Sequence, residues 1–337
     1  HPFELQREDE SCSQEGGTTG ALKIVADPQV VGILGTVCSG AAVPAAKIMT
    51  EKGLVMISPS NTAPSLTAVG GEPGADWQPG YFRTAHNDAD QGRAAATFAF
   101  QELGIRRAAT INDGDTYTEG LTGVFNQVFS ELGGEIVLAT TINKGDTAMR
   151  PVLTSVVDSG AELVFFPLFP PEADFIVLQT KEVSGFENIA LMGADAILTA
   201  TFIEAIGTDG TGMYWVGPAS PTGPAYDTFV ANFEQELGRP PGNSAFHAHA
   251  YDAANILLGA IEEVAVQEAD GTLHIGRQAL RDALYATSDY QGLTGGLTCS
   301  EFGDCGPAKF QVVRLDDPAA GIEGLVDNVV YTYKPGQ

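Results

Sequence analysis

Two loops of this sequence are rich in hydroxyl side chains, and each follows a short apolar run. They are T-V-C-S-G-A at 36–41 and S-P-S-N-T-A-P-S-L-T at 58–67. Where strands run into helices, free backbone N–H groups and Ser or Thr hydroxyls together bind a carboxylate or a phosphate. The alternative is ordinary helix N-capping by Ser39, Ser58 or Thr62. Two such loops after neighbouring strands strengthen the prediction of an anion site, and both interpretations stay open.

An aromatic pair and a lone carboxylate follow apolar runs later in the chain. Phe166 and Phe169, in L-V-F-F-P-L-F-P-P-E, either form an apolar wall at a strand end or pack in a core. Asp195, in L-M-G-A-D-A, either pairs with an ammonium group or caps a helix. In parallel sheets, ligands bind beyond the carboxyl ends of the strands, so these positions are candidates for ligand binding.

No motif indicates a metal site, a cofactor or catalysis. Residues 113–120, D-G-D-T-Y-T-E-G, fail as a calcium loop because Tyr117 and Thr118 occupy the fifth and sixth positions. His247 and His249 are two residues apart, which points them to different faces of a helix and predicts packing instead of metal binding. The patterns G-x-G-x-x-G, G-x-x-x-x-G-K-[ST], G-x-S-x-G and H-E-x-x-H are absent. We therefore predict a protein that is not an enzyme.

The elements that position these loops follow a regular alternation. Apolar runs such as QVVGILG, LVMIS, RRAATIND and AELVFFPLF are typical of buried strands, and stretches such as DQGRAAATFAFQELG and YTEGLTGVFNQVFSELGG have helical spacing. Strands that alternate with helices of this length indicate βαβ units, whose right-handed crossovers place helices on both faces of a parallel sheet. The sequence therefore predicts an α/β fold with doubly wound, mostly parallel sheets.

The chain of 337 residues is long enough for two domains. After residue 242 the alternation gives way to two helical stretches, 245–269 and 277–287, and then to short β-like pieces. This change predicts that the chain returns to the first lobe, crosses between two lobes several times and forms a hinge and a cleft. The first ten residues, HPFELQREDE, have the pattern of a strand that leaves a turn, and no βα unit precedes them.

Charge and cysteine content restrict the partners and the compartment. The chain has 17 Lys and Arg against 43 Asp and Glu, a net charge of −26, which repels nucleic acid and anionic lipid and favours solubility or adaptation to salt. No window approaches the run of about 18 apolar residues that spans a membrane. The even cysteine count suggests disulfides and an oxidising compartment, whereas a zinc site would need further ligands near either group. The two groups are Cys12 with Cys38 and Cys299 with Cys305.

Six segments, in order, resemble one family: DESCS with VVGILGTVCSG, MISPSNTAPSLT, YFRTAHNDADQG, INDGDTYTEGL, LVFFPLFPPEADF and LMGAD. Over nearly its whole length the chain resembles the periplasmic-type solute-binding proteins of branched-chain amino acid ABC transporters, the leucine/isoleucine/valine-binding group. The resemblance implies two doubly wound, mostly parallel-sheet lobes joined by a multi-strand hinge, the type 1 periplasmic binding protein fold. It implies a carboxylate-binding lobe of 1–86 and 244–307, and an ammonium- and side-chain-binding lobe of 87–243 and 308–337.

The resemblance also implies roles for individual residues. In this family, hydroxyl groups of the first lobe hold the α-carboxylate of the ligand; the matching residues are Ser39, Ser60 and Thr62. Two aromatic side chains and an acidic residue of the second lobe hold the side chain and the α-ammonium group; the matching residues are Tyr117, Phe169 and Asp195. The implied disulfides are Cys12–Cys38 and, as in part of the family, Cys299–Cys305.

Three departures from the family pattern bear on the expected ligand. The opening strand and helix of the family have no match here, so the first βα unit is expected to be missing. Asp195 is shorter than the Glu of the best-known members, and Phe169 lacks the usual tyrosine hydroxyl. The family also includes binders of aromatic acids, amides and urea, so branched-chain specificity stays open.

These features predict a periplasmic or extracellular solute-binding protein that delivers an apolar amino acid to the membrane permease of an ABC importer by hinge closure. We expect a monomer that binds no cofactor, no metal and no nucleic acid; a lipid anchor stays open. The alternatives are a ligand-sensing receptor domain on the same fold and a binder of an amide, urea or an aromatic acid.

Overall fold

The computed structural model describes residues 3–242 and 244–333, and the chain forms two units. The first unit contains the residues up to Asn87, together with Pro221–Pro241 and Phe246–Pro307. The second contains Asp88–Ser220, a short piece within 242–245 and the residues from Ala308 onward.

The predicted lobes differ from these units at Pro221–Pro241, which the prediction placed with 87–243. In the structure, aromatic side chains of this segment pack on the helix that begins at His247. The Tyr226 hydroxyl lies 2.7 Å from His247 Nε2, and the rings of Phe229 and His247 stack with their centroids 6.0 Å apart. This packing explains why the segment belongs to the first unit.

The α-helices of the described residues are α1 (Gln14–Ala26), α2 (Ser39–Glu51), α3 (Asp88–Thr97), α4 (Thr116–Glu131), α5 (Arg150–Ser159), α6 (Glu172–Gln179), α7 (Ala200–Ile206), α8 (Pro224–Leu237), α9 (His247–Val264), α10 (Arg277–Tyr285) and α11 (Gly321–Asp327). A π-helical turn, Phe98–Glu102, continues α3. In residues 3–242 and 244–333, no helix is both long enough and apolar enough to cross a membrane.

The strands are β1 (Gly32–Leu34), β2 (Val55–Ser58), β3 (Ala68–Val69), β4 (Glu72–Pro73), β5 (Tyr81–Arg83), β6 (Arg107–Asn112), β7 (Glu135–Thr141), β8 (Leu163–Phe165), β9 (Ala190–Gly193), β10 (Tyr214–Pro218), β11 (Ala265–Gln267), β12 (Leu273–Ile275), β13 (Tyr290–Gln291), β14 (Gly296–Leu297), β15 (Phe310–Arg314) and β16 (Val329–Tyr333). The alternation of strands and helices from β1 to α8 therefore follows the sequence prediction.

The first unit is built on a parallel sheet of three strands in the order β1-β2-β5. Successive side chains of a strand point to opposite faces, and both faces of this sheet are covered by helices. Val55 and Ile57 pack with α9 and α10, whereas Met56 packs with α1 and α2. Because the strands run parallel, the loops after β1 and β2 leave the sheet at the same edge.

The second unit is built on a sheet of seven strands in the order β16-β15-β10-β9-β8-β6-β7. Strands β6 to β10 are parallel, and β15 and β16 are antiparallel to their neighbours. Phe165 lies in the core formed with α3 and α4, and Phe166 lies in the core formed with α5, α6 and α7. Phe166 is fully buried, so of the two alternatives for this residue the structure supports core packing.

The predicted strand over the first ten residues is wrong. His1 and Pro2 lie outside the described residues, and residues 3–10 form no strand. A strand needs a neighbour for its backbone N–H and C=O groups, and no described strand pairs with this segment. The segment instead has no regular secondary structure up to Glu10, whose carboxylate binds the loop after β1.

Helix α1 has no counterpart in the sequence prediction, because Gly16, Gly17 and Gly20 weaken its helical pattern. The glycines are explained by packing, since a Cβ atom added to Gly17 would lie 2.2 Å from the carbonyl oxygen of Ala41 in α2. Ser13 caps the start of α1 by accepting a hydrogen bond from Gly16 N at 3.0 Å.

Both disulfides implied by the resemblance are present. Cys12–Cys38 joins the start of α1 to the start of α2, and Cys299–Cys305 closes a loop after β14. No cysteine is left free, so the four cysteines form no zinc site.

The close approach of α1 and α2 can be tested by substitution of its glycine. We expect Gly17→Ala to destabilise the first unit by about 1–3 kcal/mol, because the added methyl group forces the two helices apart. The matched control is Gly259→Ala in α9, where an added Cβ meets nothing within 4 Å. This control should stabilise the same unit by about 0.5–1 kcal/mol. Urea unfolding followed through Trp77 in a Trp215→Phe background would contradict the packing argument if both variants were stabilised.

Candidate functional site

The first hydroxyl loop ends at the start of α2, where Ser39 is the first helical residue. Its Oγ accepts hydrogen bonds from the backbone N–H groups of Thr62 and Ala63, at 3.2 and 3.3 Å. Ser39 therefore connects the two predicted loops by accepting hydrogen bonds from the second, and its O–H is still able to donate one. No side chain caps α2, so the alternative that Ser39 is an ordinary N-cap is wrong.

Thr62 and Ser60 differ in what their hydroxyl groups do. Thr62 is 1% exposed, and its hydroxyl forms no hydrogen bond with any described residue. Ser60 is half-buried, and its hydroxyl donates to the backbone carbonyl of Val37 at 3.0 Å. Of the three predicted hydroxyls, those of Ser39 and Thr62 are free to donate to an anion, whereas that of Ser60 already has an acceptor.

Further hydrogen bonds fix the shape of both loops. Ser58 Oγ donates to the carbonyl of Thr36 at 2.7 Å and accepts from the backbone N–H groups of Ser60 and Asn61. Asn61 Oδ1 accepts from the hydroxyls of Thr36 and Tyr81, each at 3.1 Å. The loops therefore hold each other in place in the absence of any ligand contact.

Glu10 supports the first loop from the other side. Its Oε1 accepts hydrogen bonds from the backbone N–H groups of Val37 and Cys38, at 3.1 and 3.0 Å. Burial raises the pKa of Glu10, and these two hydrogen bonds oppose the rise. The sequence pattern did not indicate this role, because the first ten residues have the pattern of a strand. Glu10 lies two residues before Cys12, which is bonded to Cys38, and this position could have indicated a contact with the first loop.

The second unit brings together the other three predicted residues. Asp195 follows β9 at the start of a short 3₁₀ turn and is 6% exposed. The hydroxyl of Tyr117, in the first turn of α4, donates to Asp195 Oδ1 at 3.2 Å. The ring of Phe169 lies beside that of Tyr117, with centroids 5.3 Å apart. This part of the unit therefore combines two aromatic rings with the carboxylates of Asp195 and Asp88, which have oxygens within 4.8 Å of each other.

Gln91 is a member of this group that the spacing argument missed. It lies in the first turns of α3, is fully buried, and donates through Nε2 to Asp195 Oδ1 at 2.5 Å and to the carbonyl of Val216 at 3.1 Å. Two acceptors around the nitrogen fix the orientation of the amide. Gln91 belongs to the motif YFRTAHNDADQG, which was the signal in the sequence. Nothing in the spacing connects this glutamine to a residue 104 positions later.

Electrostatics keep Tyr117 protonated and make the charge on Asp195 costly. Burial raises the pKa of Asp195, while the hydrogen bonds from Gln91 and Tyr117 lower it in part. Burial also raises the pKa of Tyr117, and the negative charges of Asp195 and Asp88 raise it further. Tyr117 is therefore a hydrogen-bond donor throughout the physiological range, and the site disfavours the charged form of Asp195.

The family model described as periplasmic binding protein matches residues 1–317. The chain belongs to the periplasmic binding protein family. Among its relatives is the Leu/Ile/Val-binding protein BraC3 of Rhizobium johnstonii, which is 26% identical over 93% of this chain and 80% of its own length.

Solved structures of periplasmic binding proteins have the same fold. A leucine-binding protein, LivK, of Thermotoga maritima matches 98% of this chain and 88% of its own with a TM-score of 0.81 at 22% identity. A solute-binding protein of R. palustris in complex with benzoate matches 91% of this chain and 80% of its own with a TM-score of 0.74 at 23% identity. The predicted fold class, the α/β type 1 periplasmic binding protein fold, is confirmed.

The cost of the buried carboxylate gives a pH-dependent prediction for stability. Wild type should lose free energy of unfolding as the pH rises from the ordinary aspartate range through the raised pKa of Asp195, because the folded state binds the proton more tightly than the unfolded state. Asp195→Asn keeps an oxygen acceptor without the charge, so it should be more stable than wild type at pH 7 and lose that advantage in acid.

The control for this prediction is Asp115→Asn in the same unit. Asp115 forms an ion pair with Lys144 at 2.8 Å, so its substitution should lower stability by up to about 1 kcal/mol at pH 7. Thermal unfolding between pH 3 and pH 8 measures both variants. A loss of stability at pH 7 in Asp195→Asn would contradict the interpretation that burial makes the charged form of Asp195 costly.

Proposed function

We propose that this protein is a solute-binding protein of an ABC importer and that it binds an amino acid with an apolar side chain. In this proposal Ser39 and Thr62 hold the α-carboxylate, and Asp195 holds the α-ammonium group beside Tyr117 and Phe169. The ligand favours a closed form through hinge closure, and the membrane permease recognises that form. The protein acts as a monomer that catalyses no reaction. It works in the periplasm or outside the cell, where its two disulfides persist.

The observation that carries the proposal is the buried carboxylate of Asp195. Its two side-chain hydrogen bonds, from Gln91 and Tyr117, both end on Oδ1. Among the described residues, no lysine or arginine forms an ion pair with it. A buried carboxylate is costly to ionise, so an ammonium group that reaches Oδ2 gains from charge attraction as well as from a hydrogen bond.

The same carboxylate distinguishes amino acids from the alternative ligands. Benzoate would bring a second anion and urea would bring no charge, so neither would neutralise Asp195. The ring of Phe169 carries no hydroxyl group, which supports an apolar ligand side chain beside it. The Leu/Ile/Val-binding relative has a name that fits this ligand class.

A ligand series tests the proposal directly. Leucine, isoleucine and valine should bind, and 4-methylpentanoate, which lacks the ammonium group of leucine, should bind at least about 10-fold more weakly because one charge-assisted hydrogen bond contributes about 1.5–3 kcal/mol. Isopentylamine, which lacks the carboxylate, should be weakened to a similar degree. Isothermal titration calorimetry of ligand-free protein measures these five compounds and benzoate. Benzoate or 4-methylpentanoate that binds as tightly as leucine would refute the assignment of an amino-acid ligand.

Substitution of the carboxylate separates binding from folding. Asp195→Asn should weaken leucine binding by about 10- to 150-fold, the equivalent of about 1.5–3 kcal/mol, although the variant is expected to be the more stable protein at pH 7. It should leave the affinity for 4-methylpentanoate unchanged or raised, since that ligand has no ammonium group to lose. Unchanged calorimetric affinity for leucine would rule out the ammonium-binding role.

The two hydroxyls of the second loop provide a matched pair. Thr62→Val removes a hydroxyl that has no partner among the described residues, at nearly constant volume, and should weaken leucine binding by about 10-fold or more. Ser60→Ala removes a hydroxyl that already donates to Val37, so it should change the affinity little. The reverse order of effects in calorimetry would show that the carboxylate is held by Ser60 instead.

A further inference from the structure

Arg83, at the end of β5, is fully buried and binds four groups at once. Its Nε donates to Asp304 Oδ1 at 2.6 Å, and its Nη2 donates to Thr67 Oγ1 at 2.5 Å. Its Nη1 donates to the backbone carbonyls of Asn61 and Ala63, at 3.2 and 2.9 Å. A planar guanidinium with fixed donors holds such a set of acceptors in one geometry, which a lysine cannot do.

Two of the acceptors of Arg83, the carbonyls of Asn61 and Ala63, lie on either side of Thr62. One guanidinium nitrogen holds the carbonyls of Asn61 and Ala63, while Ser39 Oγ holds the N–H groups of Thr62 and Ala63. The backbone around Thr62 is therefore fixed from two directions. The direction of the Thr62 hydroxyl follows from that backbone, since a threonine side chain has few rotamers.

Asp304 comes from the loop that the second disulfide closes. It lies next to Cys305 and accepts hydrogen bonds from Arg83 and from the Thr67 hydroxyl, the latter at 2.9 Å. The backbone of this loop also pairs with β5: Arg83 N donates to the Gly303 carbonyl at 2.9 Å, and Cys305 N donates to the Arg83 carbonyl at 3.0 Å. The Cys299–Cys305 loop is thus attached directly to the residue that holds the Thr62 backbone.

We propose that Arg83 and Asp304 are positioning residues for the ligand's carboxylate, and that the Cys299–Cys305 disulfide contributes to ligand affinity through them. Neither residue needs to touch the ligand. Without the Asp304 charge, Arg83 is a buried cation without its counter-ion, and it can no longer keep the carbonyls of Asn61 and Ala63 in place. The part of this inference that concerns affinity rests on the proposed function.

The test uses Asp304→Asn and two measurements. The first is the hydrogen exchange of the Thr62 and Ala63 amides in the ligand-free protein, which should become at least about 10-fold faster because their bonds to Ser39 Oγ depend on the loop geometry. The second is leucine affinity, which should fall by up to about 100-fold, as a displacement of about 1 Å can cause. Affinity for isopentylamine, which has no carboxylate, should stay the same.

Asp252→Asn is the matched control, since it makes the same change at another aspartate of the same unit. Asp252 accepts hydrogen bonds from the backbone of Leu293 and from the backbone and hydroxyl of Thr294, and it does not contact the loop of Thr62. Its substitution should lower the melting temperature but leave the exchange of the Thr62 and Ala63 amides unchanged. A general loss of stability would accelerate exchange in both variants and overturn the proposal.

Milder variants keep the test informative if Asp304→Asn fails to fold. Thr67→Val removes the hydroxyl that links Arg83 to Asp304, whereas Thr67→Ser retains it. The valine variant should reproduce both effects in weaker form, and the serine variant should restore wild-type values. The double variant Cys299→Ala/Cys305→Ala should show the same loss of leucine affinity with isopentylamine affinity retained.

The two measurements distinguish failure of this inference from failure of the proposed function. Wild-type protein that binds no amino acid would refute the function, and the exchange measurements would still test the positioning of Thr62. Wild-type protein that binds leucine, with exchange and affinity unchanged in Asp304→Asn and in Thr67→Val, would overturn the positioning role alone.

Discussion

A carboxylate enclosed by a protein core has to be stabilised by every group around it, and Asp195 imposes this requirement on the second unit. The strand order brings three separate elements to it: β9 delivers the carboxylate, α3 delivers the amide of Gln91, and α4 delivers the hydroxyl of Tyr117. Both of these donors are neutral and both bind Oδ1, and burial raises the pKa of the carboxyl group. In the proposed function, the ammonium group of the ligand supplies the positive charge that these neutral donors lack.

The first unit has the opposite feature, because its loops contain hydrogen-bond donors that have no acceptor among the described residues. The start of α2 is uncapped and the Thr62 hydroxyl is unused among the described residues, yet the surrounding backbone is held firmly by Ser39, Ser58 and Arg83. Rigid donors in place before the ligand arrives lose little conformational entropy on binding. In the proposed function, the first unit therefore provides fixed donors for the carboxylate of the ligand, and the second unit provides a fixed acceptor for its ammonium group.

The sequence predicted the parts of this structure that depend on local pattern. Strand and helix alternation from β1 to α8, the two hydroxyl loops, the paired cysteines and the carboxylate after β9 all follow from short-range spacing or from the motifs of the family. Helix α1 was missed because its glycines serve packing against Ala41, which no local pattern contains. Glu10, Gln91 and Arg83 were missed for a related reason: each acts on residues that are distant in the chain, and only the fold shows which distant residues meet. The strand expected over the first ten residues was wrong because a strand is defined by its neighbour.

The order in which the segments of each unit follow one another has a consequence for how the protein is made. The sheet of the first unit is complete at Arg83, but one of its faces is covered by α9 and α10, which are synthesised more than 160 residues later. The second unit likewise needs β15 and β16 from the end of the chain to complete its sheet. Neither core can close before these later segments have been synthesised, so each unit folds through contacts between residues that are far apart in the sequence, and such long-range contacts slow folding.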